Sequence, residues 1–327
     1  MPVEEIVLFV NHRHAPYVLT KPFHTSQKLI KRDHYGITIS LKVQHNFELE
    51  KDILGLGDGI KVIAPPRLKR AIRDRLRGGI DLYNTEISDS GLLSANKQLI
   101  FKGYTQLNFV YTQREIRRIK LEINKYDKEV SIKQPRSQFI LKTLPSLKNI
   151  LINHNLLKII HSIDKEAFIV RSVLFDSKYS QEVDEKWRQS KDINTIIQND
   201  NHKLIDDTQT DQLQLTEADE NLLRKMFIIR IYLDDISLKN GPLKLIPGSH
   251  KKVLSENEVQ TITDNSTPVI SDIPAGGIQI LKPLLLVSNS LAVSQKRRRI
   301  LQLEFSSVEL KDGFNWYERK RLDDFGD

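Results

Sequence analysis

The chain has 327 residues, 39% hydrophobic and 28% charged, with a formal net charge of +8 and no cysteine. That length suggests two domains with real cores. The missing thiols exclude disulfides, thiolate metal sites and cysteine nucleophiles, and fit a reducing cytoplasm, where the protein is expected to reside. The longest apolar run, "ILKPLLLV", is too short to cross a bilayer, so no membrane partner is expected. The basic balance permits contact with nucleic acid, through "RLKRAIRDRLR" (67–77) or "KRRR" (296–299), although acids such as Asp74 interleave and a solvated face is the simpler reading.

In chain order, "EEIVLFV", "GITISLKV" and "IKVIAP" have strand composition, the last stopped by Pro65-Pro66. "ELEKDILGLG" ends on glycine as helices do. "PPRLKRAIRDRLRGGI" predicts a helix with Leu68, Ala71, Ile72 and Leu76 on one face and Arg70, Arg73 and Arg77 on another. Residues 1–83 therefore form a small α/β module. The polar, turn-rich stretch that follows supplies a linker over 84–92.

The second domain, 93–327, begins with helices. "YTQREIRRIKLEINKY" carries Thr112 and Glu115 at capping-box spacing and Ile116, Ile119 and Ile123 along one face. "LPSLKNILINHNLLKIIHSI" reads as two further helical segments. Strands follow: "FIVRSVLF", "FIIRIYL", "PLKLIP", "GGIQIL", "LLLVSNS" and "RRRILQLEF". Residues 191–220, rich in Asp, Asn, Gln and Thr, read as a long polar insertion forming a lid or surface loop. Helices followed by many short strands indicate a jelly-roll or cupin-like barrel with outer helices, an α+β chain overall. "RIYLDDISLKNGPLKLIPGSH" (230–250) reads as a hairpin turning at Asn240-Gly241 and ending on His250.

An iron centre in such a barrel uses two histidines and a carboxylate, two of them as His-x-Asp or His-x-Glu on one strand. None of the nine histidines has an acid two residues on.

The pieces "GYTQLNFVYTQREI", "VRSVLFD", "KWRQSKDI", "RIYLDDISLKNGPLKLIPGSH", "PAGGIQILKPLLLVSNS" and "RRRILQLEF" resemble, in order and spacing, the phytanoyl-CoA dioxygenase family of iron- and 2-oxoglutarate-dependent oxygenases, over about 93–305. The resemblance implies a double-stranded β-helix. It also implies iron ligands at positions occupied here by Arg188, Ser190 and Val287, within a cavity that includes Trp187 and Gln189. The family's arginine for the 2-oxoglutarate carboxylate maps to Arg298, with Arg297 and Arg299 as register alternatives. Residues 1–83, through "HTSQ" (24–27) and "ILGLGDGIKVIAPPRLK", resemble the C-terminal extension of WYL-domain proteins, mostly bacterial regulators.

Together these features predict a non-catalytic protein that binds a small ligand or a protein partner, with no catalytic residue, no metal and no cofactor. The alternatives are an active oxygenase using Fe(II) and 2-oxoglutarate through unconventional ligands, and a transcription-linked regulator that binds nucleic acid or a ligand.

Overall fold

The computed structural model describes residues 2–83, 86–130, 136–177, 185–197, 213–238, 240–290, 296–311 and 313–324. It divides into two compact units, Met1–Thr85 and Glu86–Asp327.

In the first unit, β1 (Val3–Asn11), α1 (Ala15–Thr20), β2 (Lys28–Asp33), β3 (Gly36–Gln44), α2 (Phe47–Gly55), β4 (Ile60–Ala64) and α3 (Pro66–Tyr83) follow in order. The strands make a four-stranded sheet ordered β2-β3-β1-β4. Alternation places Ile6, Leu8 and Val10 of β1 and Ile37, Ile39 and Leu41 of β3 in the core, each at most 1% exposed. Each such burial contributes roughly 1.5–3 kcal/mol. Asn46 caps α2 by accepting from the Leu49 N–H at 2.9 Å.

The sequence reading missed β2, an edge strand with every residue exposed and hence no hydrophobic alternation to detect. Within α3, Leu68 and Ile72 are buried as expected, whereas Leu76 is 45% exposed and lies beyond the buried part of that face. The expected 84–92 linker also needs correction. Ser88 caps a helix that starts at Asp89, and Leu92 is buried in the second unit's core.

The second unit opens with α4 (Asp89–Lys102), β5 (Tyr104–Leu107) and α5 (Gln113–Val130), then β6 (Arg136–Gln138), α6 (Ile140–Thr143), α7 (Lys148–Leu151) and α8 (His154–Ile163). The Thr112–Glu115 capping box is present, with the Thr112 N–H donating to Glu115 at 2.7 Å and the Glu115 N–H to the Thr112 hydroxyl at 3.2 Å. There follow β7 (Phe168–Asp176), β8 (Asp192–Ile197), β9 (Leu213–Glu217), α9 (Glu220–Lys225), β10 (Phe227–Tyr232), β11 (Leu243–Leu245) and α10 (Glu256–Asp264). The last strands are β12 (Val269–Ile270), β13 (Ile278–Leu281), β14 (Val287–Asn289), β15 (Arg299–Ser306) and β16 (Phe314–Trp316).

A six-stranded antiparallel sheet ordered β5-β13-β10-β15-β7-β6 faces a three-stranded sheet ordered β12-β11-β14, and β16-β8-β9 form a third. The architecture is thus an open double sheet and not a closed barrel. On the outer face of the large sheet Ile229, Ile231, Leu301 and Leu303 are fully buried against Ile119 and Ile123 of α5 and Leu156 and Ile160 of α8. Phe227 stacks on Phe305 with ring centroids 4.9 Å apart.

Two expectations fail. The 230–250 segment is not a hairpin of paired strands: β10 pairs with β13 and β15, whereas β11 pairs with β12 and β14, so the chain passes from one sheet to the other. Residues 191–220 are not all loop, since β8 and β9 pair antiparallel there and α9 begins at Glu220. Burial there does not alternate, since Ile193, Asn194 and Thr195 are all buried and Gln214–Glu217 are not, so neither strand carries the usual pattern. Residues 198–212 lie outside the described residues.

His250 has a structural post. Its Nε2 lies 3.1 Å from the Ile100 carbonyl, and the Gly248 N–H donates to the Lys102 carbonyl at 2.9 Å, tying the 247–250 turn to the end of α4. Gly103 sits at φ +80°, and a Cβ there would stand 2.4 Å from His250 Nδ1. Gly103→Ala is therefore expected to destabilise the second unit by about 1–3 kcal/mol, from the left-handed backbone and the displaced ring together. Urea unfolding measures it, and an unchanged midpoint would sink the idea.

Glu318 is fully buried, accepting from the Ser172 N–H at 2.5 Å and the Ser172 hydroxyl at 2.8 Å. Burial pushes its carboxyl up to about 7 from an ordinary 4.5, against the lowering effect of the Ser172 bonds. A folded value above the unfolded one means the folded state holds the proton longer. The contribution is whole below about pH 4.5 and lost as the pH rises through about 7, roughly 3 kcal/mol across that window. In Glu318→Gln this part of the decline should vanish, so the stability difference between variant and parent should grow with pH between those limits. Parallel slopes in denaturation series at several pH values would refute this.

Candidate functional site

The two facing sheets enclose a space whose character is set by strand alternation. On β10, Ile229 and Ile231 face the helices, so Ile228, Arg230 and Tyr232 face the other way. Register carries that face sideways: Arg230 lies opposite Gln279 of β13 and Gln302 of β15, and Glu304 lies opposite Arg171 of β7. Gln302 donates to Glu304 at 2.8 Å, Arg171 donates to Gln138 at 3.2 Å, and the Tyr232 hydroxyl donates to Gln279 at 2.9 Å. One face of the sheet is aliphatic and the other is hydrogen-bonded and charged.

The smaller sheet contributes Leu243 and Leu245 of β11, which pack with Val287 against Ile228 and Leu281 of the large sheet. Arg188 extends this sheet. Its N–H donates to the Val287 carbonyl at 3.0 Å and the Val287 N–H returns the bond at 3.0 Å. Residues paired in this way project to the same face, so Arg188 and Val287 are neighbours on the inner side. The Ser190 N–H donates to the Pro283 carbonyl at 2.8 Å. Of the positions that the family resemblance marks for iron, 188 and 287 are thus adjacent.

The residues at those positions do not fit the metal. A guanidinium has no lone pair to donate and repels a dication, and the valine side chain has no donor atom; the Ser190 hydroxyl is the one donor of the three. Among the described residues no group of three or more His, Cys, Asp or Glu side chains could hold a metal ion.

Trp187 and Gln189 do not line the inner space. Alternation about Arg188 turns them outward, where Trp187 packs with Ile246, Leu254 and Leu286. The Gln189 amide donates to the Lys252 and Leu284 carbonyls at 2.9 and 2.6 Å and accepts from the Leu254 N–H at 2.8 Å. Both are fastenings of the 187–190 segment.

Among the three consecutive arginines, geometry separates the roles. Arg297 grips Asp176, with Nε 3.0 Å from Oδ1. Arg299 forms a two-pronged pair with Asp234 at 2.9 and 2.9 Å. Burial pushes the Asp234 carboxyl up, but Arg299 and Lys120 outweigh it and hold the group below its ordinary range. Arg298 points into a small, partly enclosed pocket shared with Arg230, Tyr232, Leu243, Asn289 and Ile300. Its Nη1 donates to the Asn240 carbonyl at 3.1 Å and also to that of Gly241. Burial, and then the charge of Arg230, lower its hold on its proton.

Arg171, Arg230 and Glu304 escaped the sequence reading, although each is a charged residue within a largely apolar strand, in "FIVRSVLF", "FIIRIYL" and "ILQLEF". That interruption was the available signal.

Comparison with known proteins agrees with this architecture. The model of the phytanoyl-CoA dioxygenase (PhyH) family matches residues 102–300, and that of the WCX domain matches residues 2–79. No curated protein matches the chain in sequence. Among solved structures, EctD from S. alaskensis with 2-oxoglutarate and 5-hydroxyectoine is 13% identical, with 72% of this chain and 82% of that one covered and a TM-score of 0.52. The non-heme alpha-ketoglutarate-dependent carbocyclase SnoK of nogalamycin biosynthesis is 11% identical, covering 67% and 83%, with a TM-score of 0.50. AviO1 from Streptomyces viridochromogenes is 14% identical, covering 67% and 96%, also with a TM-score of 0.50. At such identities the likeness speaks for the fold, a jelly-roll of antiparallel sheets. With the family model spanning 102–300, more than half of the sequence, this chain belongs to the phytanoyl-CoA dioxygenase family and carries a WCX domain ahead of that region.

Proposed function

We propose that the chain is a non-catalytic binding protein that has given up the metal chemistry of its family and uses the space between its sheets to hold an anionic small ligand. The observation that carries this reading is the Arg188–Val287 main-chain pair. It supports the proposed register of the ligand positions, and a slip of one residue brings no histidine or carboxylate into 188, 190 or 287. Arg188 supplies a positive charge where the dication would stand, and Arg298, in a pocket with Arg230, has part of its guanidinium open to a ligand.

A second reading is favoured by family membership and by neighbours described with iron and with 2-oxoglutarate bound. In it the protein is an oxygenase with unconventional ligands, and Fe(II) and 2-oxoglutarate are its cofactors. Anaerobic Fe(II) titration followed by succinate assay in air separates the two. The unmodified protein is expected to bind no iron tightly and to form no succinate above a metal-free control; iron-dependent succinate formation would promote the oxygenase.

Restoring donors extends the test. A single histidine at 188 or 287 gives a one-donor site that competes poorly with water and buffer. The triple change Arg188→His, Ser190→Asp and Val287→His removes the repelling charge and supplies all three donors on one face. Measurable iron binding is expected in the triple variant and in none of the single ones. Iron binding by Ser190→Asp alone would show that Arg188 does not block the position.

A further inference from the structure

We propose that the pocket between the sheets is an oxyanion site built on Arg230 as well as Arg298, and that it takes a doubly charged head group, phosphoryl in preference to a single carboxylate. This rests on the binding-protein reading above and names the ligand class of that same space.

Arg230 carries the inference. It sits mid-strand on β10 and is 9% exposed. Its Nε is shut off from solvent and has no hydrogen-bond partner among the described residues. No carboxylate of the described residues pairs with it, and its flat face lies 5.6 Å from the centre of the Phe175 ring. Buried guanidinium groups are ordinarily paired, because removing the charge from water without compensation is strongly unfavourable. The neighbours each have a carboxylate: Arg171, whose Nε is also without a hydrogen-bond partner, has Glu304 at 3.8 Å, Arg297 has Asp176 and Arg299 has Asp234.

Among the described residues the pocket around Arg230 has no such acid. Its described lining is apolar or neutral apart from Arg230 and Arg298 themselves. Arg298 spends Nη1 on the Asn240 and Gly241 carbonyls, which fixes its plane and leaves its remaining N–H groups for a ligand. The two cations repel each other, and a dianion between them neutralises both. The pocket as it stands has room for about one water, so a head group enters it by parting the Arg230 and Arg298 side chains, with the remainder of the ligand outside.

The test is calorimetric titration of the full chain, stripped of metal with chelator, at constant ionic strength set by chloride. Inorganic phosphate is the first probe and 2-oxoglutarate the second. Phosphate is expected to bind more tightly than 2-oxoglutarate, and Arg230→Met to weaken phosphate about 10- to 100-fold, the worth of charge-assisted hydrogen bonds. Arg230→Lys should recover part of that loss. Without phosphate, Arg230→Met should melt no lower than the parent, since the guanidinium has no partner to strand; this also shows that the variant folds. Phosphate binding unaffected by Arg230→Met, or 2-oxoglutarate binding more tightly than phosphate, would overturn the proposal. Both measurements are metal-free, so they stand apart from the succinate assay: turnover there would refute the binding-protein reading whatever the titration gives.

Discussion

The second unit is organised by a conflict on one strand. Ile229 and Ile231 must meet the helices, and the pleat then leaves Arg230 no choice but the interior. A one-residue slip would turn the aliphatic pair into the space between the sheets and bury several polar residues against α5 and α8, so the register is held by the outer face. The four fully buried side chains Ile229, Ile231, Leu301 and Leu303 each contribute roughly 1.5–3 kcal/mol, enough together to outweigh the several kcal/mol that one uncompensated charge costs. The inner face can therefore carry groups chosen for a ligand and not for stability.

The same logic sorts the arginines at 297–299. Their neighbours in the chain are nearly identical, yet Asp176 at the end of β7 and Asp234 just beyond β10 capture the first and third. Those two ion pairs clamp the start of β15 on both sides. With its flanks fixed, Arg298 is oriented by the backbone alone, and its bonds to the Asn240 and Gly241 carbonyls hold the crossing segment between the sheets against it.

Much of this was legible in the sequence because it rests on periodicity. Strands β1, β3, β4, β7, β10, β13 and β15, the Thr112 capping box and the α5 face through Ile116, Ile119 and Ile123 all follow from local pattern, and the family motifs brought Arg188, Ser190, Val287 and Arg298 into view. What stayed hidden depended on partners distant in the chain. Strand β2 has no buried face to mark it. The division of β10 and β11 between two sheets depends on β13, β14 and β15, none of which is adjacent in sequence. Trp187 and Gln189 belong to a motif, but a motif does not say which of its members face inward; the bonds to Lys252, Leu254 and Leu284 do.

The pairing of Arg188 with Val287 uses only main-chain atoms. Every residue except proline offers the same N–H and carbonyl, so this ladder is indifferent to what its side chains are. A scaffold joined in that manner separates inheritance of shape from inheritance of chemistry: substitutions at 188 and 287 can alter what the interior attracts while the strands continue to meet at the same height. The height at which these strands meet is therefore set independently of whatever the interior is asked to hold.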